Sequence, residues 1–355
     1  MPVKPIRVLV VDDSALIRKL LTEILSAAPN IEVVGTAGDP YIARRKIKKL
    51  DPDVLTLDVE MPRMDGLTFL ENLMRLRPMP VVMVSTLTEQ GAQVTLDALE
   101  LGAIDFVTKP KIDVRHTIHE YAEELIGKIE AAARARVRRL EAKADAAEKR
   151  LSSGMFDTTD KLLAIGASTG GTTAISHIVT RFPADAPGTV IVQHIPGGFS
   201  RSFANRVNDL SAVRVVEAED GMQIMTGNVY IAPGTHHLRV QRSGARFLCR
   251  LSEDAPVSGH RPSVDVLFES VAQQVGHNAV GVLLTGMGAD GARGLLAMRR
   301  AGAPTIAQDE ATSVVWGMPG RAVDLDAAQQ ILPLDQIASA ALEAAIKPTD
   351  LSKHS

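Results

Sequence analysis

The tightest constraint on this chain is a rhythm. Short apolar runs, nearly uninterrupted in Val, Ile and Leu, recur between longer amphipathic stretches. Up to about residue 130 these runs are "IRVLVV", "IEVVGTA", "DVLTLD", "VVMVS" and "IDFVT". A strand buried on both faces reads as a continuous apolar run, and parallel strands need a helical crossover between them. Five runs with intervening helices therefore predict a doubly wound, flavodoxin-like α/β domain. The rhythm lapses in "EAAARARVRRLEAKADAAEKRLSS", where β-branched runs give way to Ala, Arg, Lys and Glu. It restarts at Lys161 with "LLAIGA", "GTVIVQH", "NVYIAP", "AVGVLLTG" and "APTIAQ". Between the third and fourth of these, "LRVQRSGARFLCRLS" alternates about Ser243 and Gly244 as a hairpin does. The expected organisation is one domain over residues 1–130, a charged helical linker over 131–160, and a second, mainly parallel α/β domain with an antiparallel hairpin over 161–348. A chain of 355 residues exceeds what one core usually encloses, which fits two domains.

Composition excludes several function classes. Hydrophobic residues at 45% and charged residues at 23% suit ordered globular domains, and a net charge of -3 gives no overall attraction for nucleic acid. The basic cluster Arg134 to Arg139 is flanked by Glu130, Glu141 and Asp145, so a solvated helix accounts for it. The single cysteine, Cys249, can form neither an internal disulfide nor a cysteine metal site, and a reducing compartment follows. The apolar run in "MPVKPIRVLVVDDS" is too short for a signal-peptide core or a membrane span. The expectation is a cytoplasmic protein with no membrane insertion and no nucleic-acid partner.

Three aspartates stand where predicted strands end: Asp12 and Asp13 after "VLVV", and Asp58 after "VLTL". In an open parallel sheet the C-terminal strand ends form the ligand crevice, so these carboxylates should converge. Like charges packed together need a hard cation, and carboxylate oxygens with water suit Mg²⁺. Such a cation would shield an incoming phosphoryl group and let one carboxylate attack phosphorus. Ser85 and Lys109 end two further strands on the same edge. One aspartate after a strand is an ordinary helix cap; this set of five residues is more than that.

"VLVVDDS", "LDVEMPRMDG", "VVMVS" and "DFVTKP" resemble the signature blocks of two-component receiver domains, in order and at the usual separations. The resemblance implies phosphorylation of Asp58 by a histidine kinase and Mg²⁺ bound through Asp12, Asp13, Asp58 and the main-chain carbonyl of Glu60. It also implies Ser85 and Lys109 as sensors of the phosphoryl group, and a cis bond before Pro110.

In the second domain "GASTG" satisfies G-x-S-x-G between a predicted strand and a helix. Alone the match is weak, because glycine-rich turns at helix N-termini also bind phosphate. The stretch lacks the lysine of a P-loop and does not fit G-x-G-x-x-G. A nucleophilic Ser168 needs a base, and the next strand ends in His194; an acid follows in "VGVLLTGMGAD", where Asp290 sits in a glycine-rich loop. Ser168, His194 and Asp290 thus form a candidate triad, each member after a different strand. Their chain order differs from that of α/β-hydrolases, so the motif does not import that fold. Asp290 could instead cap a helix, and Asp265, Asp309 and Glu310 are rival acids. His260 in "SGHRPSVD" is placed near the site without a catalytic role, whereas His116, His119, His236, His237 and His277 read as surface or hydrogen-bonding residues. Main-chain donors for an oxyanion are sought at Thr169 or Gly170 and near Met287.

"LLAIGASTGG", "VQHIPGGF", "VYIAPG", "SGHRPSVDVLF", "LLTGMGADGA" and "AQDEATSVVWGMPG" resemble the blocks of the chemotaxis protein-glutamate methylesterase family, CheB. The resemblance implies hydrolysis of glutamate methyl esters on methyl-accepting chemotaxis receptors, with deamidation of receptor glutamines, and no cofactor for the esterase reaction. Ser168, His194 and Asp290 match the family's catalytic positions.

Overall fold

The computed structural model describes residues 4–86, 88–109, 115–135, 137 and 161–346. Two compact units, Met1–Ala144 and Asp145–Ser355, each enclose a buried core. Residues 138–160 of the expected linker, and the bond before Pro110, lie outside the described residues.

In the first unit β1 (Ile6–Val11), α1 (Ala15–Ser26), β2 (Ile31–Ala37), α2 (Pro40–Leu50), β3 (Val54–Asp58), α3 (Gly66–Leu76), β4 (Val81–Ser85), α4 (Glu89–Glu100), β5 (Asp105–Thr108) and α5 (Arg115–Arg134) alternate strictly. The five expected apolar runs are the five strands, all parallel, in the order β2-β1-β3-β4-β5. Strands β3 and β4 are buried at every position, which is why they read as continuous apolar runs. Short polar residues start the helices: Ser14, Asp39, Asp65 and Thr88 each accept a main-chain N–H in the first turn of α1 to α4.

The second unit begins with β6 (Leu162–Ala167), α6 (Gly171–Val179), β7 (Gly188–Gln193), α7 (Phe199–Leu210), β8 (Arg214–Glu217) and β9 (Asn228–Ile231). The hairpin β10 (His237–Ser243) and β11 (Arg246–Ser252) follows, with the expected turn at Ser243 and Gly244. Then come α8 (Val264–Gln274), β12 (Ala279–Leu283), α9 (Ala292–Arg300), β13 (Thr305–Gln308), α10 (Met318–Asp324), β14 (Gln330–Leu332) and α11 (Leu334–Ile346). Seven parallel strands pair in the order β14-β13-β12-β6-β7-β9-β8. The chain builds outward from β6 through β7, then crosses back to lay β12, β13 and β14 on the other side. In open α/β sheets ligands bind beyond the C-terminal strand ends at such a reversal, here those of β6, β7 and β12.

The sequence reading anticipates five of these seven strands. The other two, β8 and β14, form the sheet edges, are three or four residues long and carry exposed positions. Strands so short and half-exposed leave no apolar run to read.

Candidate functional site

In the first unit β1 and β3 are neighbours, paired from Val8 with Val54 to Val11 with Leu57. The residues that follow them must therefore meet. Carboxylate oxygens of Asp12, Asp13 and Asp58 all lie within 4.8 Å of one another, with Asp12 and Asp58 buried and Asp13 exposed. Lys109 Nζ is 2.8 Å from Asp58 Oδ2 and 3.5 Å from Asp12 Oδ2. Burial raises the Asp58 carboxyl to about 6, and Asp12 in the same direction, against the opposing pull of the Lys109 ammonium. One ammonium does not balance three carboxylates, and Asp12 Oδ2 is buried without a hydrogen-bond partner. An all-oxygen set with excess negative charge fits a hard divalent cation such as Mg²⁺.

The loops around this pocket are fixed by their own residues. The Arg18 guanidinium donates to the carbonyls of Asp12 and Asp13, at 2.7 and 2.9 Å. The Glu60 N–H donates to Asp58 Oδ1 at 3.2 Å, which places Glu60 on the pocket's rim. A Cβ at Gly66 would stand 2.0 Å from the Asp58 carbonyl oxygen, so only glycine lets α3 start this close to β3. Ser85 is buried at the end of β4; the Thr95 hydroxyl on α4 donates to its Oγ at 2.7 Å. The Lys109 N–H donates to the Ser85 carbonyl at 2.7 Å.

In the second unit Ala167 and Gln193 are register partners on β6 and β7, and the His194 N–H donates to the Ala167 carbonyl at 3.0 Å. Ser168 and His194 therefore leave neighbouring strands side by side. Gln193 ties them together, its Nε2 donating to the Ser168 carbonyl at 2.8 Å and the His194 carbonyl at 3.1 Å. From the β12 side the Ser168 N–H reaches the Thr285 carbonyl at 3.0 Å, and a Cβ at Gly286 would stand 2.7 Å from Ser168 Cβ. After Ser168 the chain passes Gly170, whose φ of +77° suits glycine, into α6. Thr169 and Gly170 thus stand at a helix N-terminus, where main-chain amides favour negative charge. Met287 lies in the loop after β12 and is 40% exposed.

His194 Nε2 lies 2.8 Å from Asp290 Oδ2, and both side chains are buried. Asp290 also accepts from Ser263 Oγ at 2.8 Å, from the Val264 N–H at 2.7 Å and from the Asp265 N–H at 3.0 Å. Burial pushes the Asp290 carboxyl up, but the His194 hydrogen bond and charge, with the Asp265 and Val264 amides, hold it below the usual carboxylate range. Instead of capping its own helix, Asp290 sits at the N-terminus of α8. His194 Nδ1 is buried without a hydrogen-bond partner.

The rival acids are engaged elsewhere. Asp265 accepts from the Gly294 N–H and pairs with Arg293. Asp309 holds a turn through the Thr312 N–H and hydroxyl, and Glu310 is exposed. The His260 ring stacks on that of His194, centroids 3.8 Å apart and planes at 16°. Buried His237 accepts from the Ser263 N–H at 3.2 Å, and exposed His119 and half-buried His236 pair with Glu123 and Glu253. His277 is exposed, and the side chain of His116 is outside the described residues.

Sequence reasoning misses Gln193, Ser263 and Arg18. Gln193 had a signal: it is an amide in the otherwise apolar run "TVIVQ", a position where burial demands partners. Ser263 looks like an ordinary cap of α8, which it also is; its second bond, to an acid 27 residues ahead, leaves no local mark.

A 2-1-3-4-5 parallel sheet with three carboxylates at its strand ends, followed by a doubly wound unit with a buried His–Asp pair, is the layout of a response regulator joined to an effector unit. The comparisons give this class its family. Residues 8–120 match the model of the response regulator receiver domain and residues 163–341 that of the CheB methylesterase. A protein-glutamate methylesterase/protein-glutamine glutaminase of Hahella chejuensis is 60% identical over 346 residues, covering 95% of both chains. One from Xanthomonas campestris is 58% identical over 342 residues, covering 94% of this chain and 96% of its own. The crystal structure of the Thermotoga maritima CheB methylesterase catalytic domain superposes with a TM-score of 0.51 at 35% identity, covering 52% of this chain and 97% of that one. The chain belongs to the CheB methylesterase family. No described helix is long and apolar enough to cross a membrane.

Proposed function

We propose that the chain is a serine hydrolase of the cytoplasm. It cleaves glutamate methyl esters, and deamidates glutamines, on methyl-accepting chemotaxis receptors, under control of phosphorylation at Asp58. The observation that carries the reading is the buried pair of His194, after β7, and Asp290, in the loop after β12, with Ser168 following the neighbouring strand β6. Ser168 Oγ attacks the ester carbonyl carbon while its proton passes to His194 Nδ1, the ring nitrogen left unengaged. Asp290 holds the imidazole by Nε2 and stabilises its cation. Main-chain N–H groups at Thr169 or Gly170, and near Met287, stabilise the oxyanion. The tetrahedral adduct collapses, His194 returns the proton to the methoxy oxygen, and methanol leaves. Water then attacks the acyl carbonyl as His194 takes its proton, and collapse releases the receptor glutamate and Ser168. With a glutamine side chain the leaving group is ammonia.

In the receiver Asp58 takes a phosphoryl group from a histidine kinase. Asp12, Asp13 and Asp58, with the Glu60 carbonyl, would hold Mg²⁺, which when bound would offset the charge of the incoming phosphoryl oxygens. Lys109, already on Asp58, and Ser85, joined to Lys109 through its carbonyl, read the new charge. The test is methanol release from a methylated receptor. Ser168→Ala should lower the rate by at least about 10³-fold with receptor binding unchanged; a variant near the wild-type rate would refute the assignment.

A further inference from the structure

One segment, residues 257–265, grips both the base and the acid of the site. Val257 and His260 exchange two main-chain hydrogen bonds, each of 3.0 Å, which close a tight loop and fix where the His260 ring projects. That ring lies flat on His194, at 3.8 Å and 16°. Three residues later Ser263, with the Val264 and Asp265 amides, holds the carboxylate that receives His194 Nε2. The Ser263 N–H is in turn anchored on buried His237.

The constraint on His194 is otherwise incomplete. Asp290 fixes one ring nitrogen but leaves the imidazole free to rock about the line between them, and Nδ1 has no hydrogen bond to stop it. A proton transfer from a serine hydroxyl is sensitive to that angle. A flat aromatic face at stacking distance removes the motion. We infer that His260 is a positioning residue for the esterase reaction: its ring face, not its proton, holds the His194 imidazole in the plane from which Nδ1 accepts the Ser168 proton. This rests on the proposed role of His194 as the base, and it adds a fourth side chain to the three that the sequence pattern marks out.

The experiment compares full-length His260→Ala, His260→Leu and His260→Phe with wild type, using methylated receptor and reading kcat and KM separately, with His194→Ala in parallel. Alanine removes the face, leucine restores bulk without a π-system, and phenylalanine restores the face without a titrating nitrogen. The expected result is a kcat about tenfold lower for Ala and Leu, about 1.4 kcal/mol on the barrier, with KM within twofold. Phe should recover to within threefold of wild type. Melting temperatures measured alongside separate a folding loss from this effect: Leu should fall with Ala in kcat even where its melting temperature equals that of Phe. The inference is overturned if Ala keeps full kcat, if Leu recovers as well as Phe, or if Phe is as slow as Ala, since the last would mean His260 moves a proton itself. An active His194→Ala would instead sink the underlying reading of the base.

Discussion

Asp58 shows how one residue carries opposite demands. It is buried at the end of β3, where a charge is costly, yet the proposed chemistry needs it ionised. Its folded pKa of about 6 stands above the ordinary 3.8, so between those values the folded unit holds a proton that the unfolded chain has lost. Stability from this group is therefore full below about pH 4 and falls as pH rises through 6. A divalent cation competes with that proton. Mg²⁺ should raise the melting temperature of the first unit clearly at pH 8 and little at pH 4.5; equal shifts at both would contradict a site built on Asp12 and Asp58. At this scale the sequence was legible where polar residues accumulate at strand ends: Asp12, Asp13 and Asp58 could be named from pattern and meet in one cluster, and His194 and Asp290 form a pair, with Ser168 following the strand beside that of His194. Arg18 and Ser263 could not: Arg18 acts through main-chain carbonyls five and six residues before it, and Ser263 through one long-range bond from a position that also caps a helix.

At the scale of elements, α8 is the unexpected contributor. Its N-terminus points at Asp290, so helix amides and the Ser263 hydroxyl keep that carboxylate ionised in a buried site. Ser263 is at once the N-cap of α8, through the Val266 N–H, and a donor to Asp290. Ser263→Ala should cost about 1 kcal/mol of stability for the cap, visible in chemical denaturation, and should also lower kcat several-fold through Asp290. A loss of stability with unchanged kcat would mean that the Val264 and Asp265 amides suffice. The strands show why some elements announce themselves. Central β3, β6, β7 and β12 are buried throughout and read as apolar blocks, whereas edge strands β8 and β14 are specified by their neighbours rather than by their own residues.

For the whole molecule, two sheets each gather polar side chains beyond their strand ends, three carboxylates in the first unit and the His194–Asp290 pair in the second. The proposal makes the first the control of the second. If the unphosphorylated receiver restrains the esterase, deleting residues 1–160 should raise the rate of methanol release above that of the unphosphorylated full chain; a truncated chain no faster would exclude restraint by the receiver. The central claim is that Ser168 is the nucleophile activated by His194. Its most direct test is covalent labelling with a small fluorophosphonate, followed by mass spectrometry of the peptide that contains residue 168. The expected outcome is one label per chain, on Ser168, a parallel loss of methanol release, and no labelling in His194→Ala. Full esterase activity in a chain labelled at Ser168, or stoichiometric labelling at another residue with loss of activity, would contradict it.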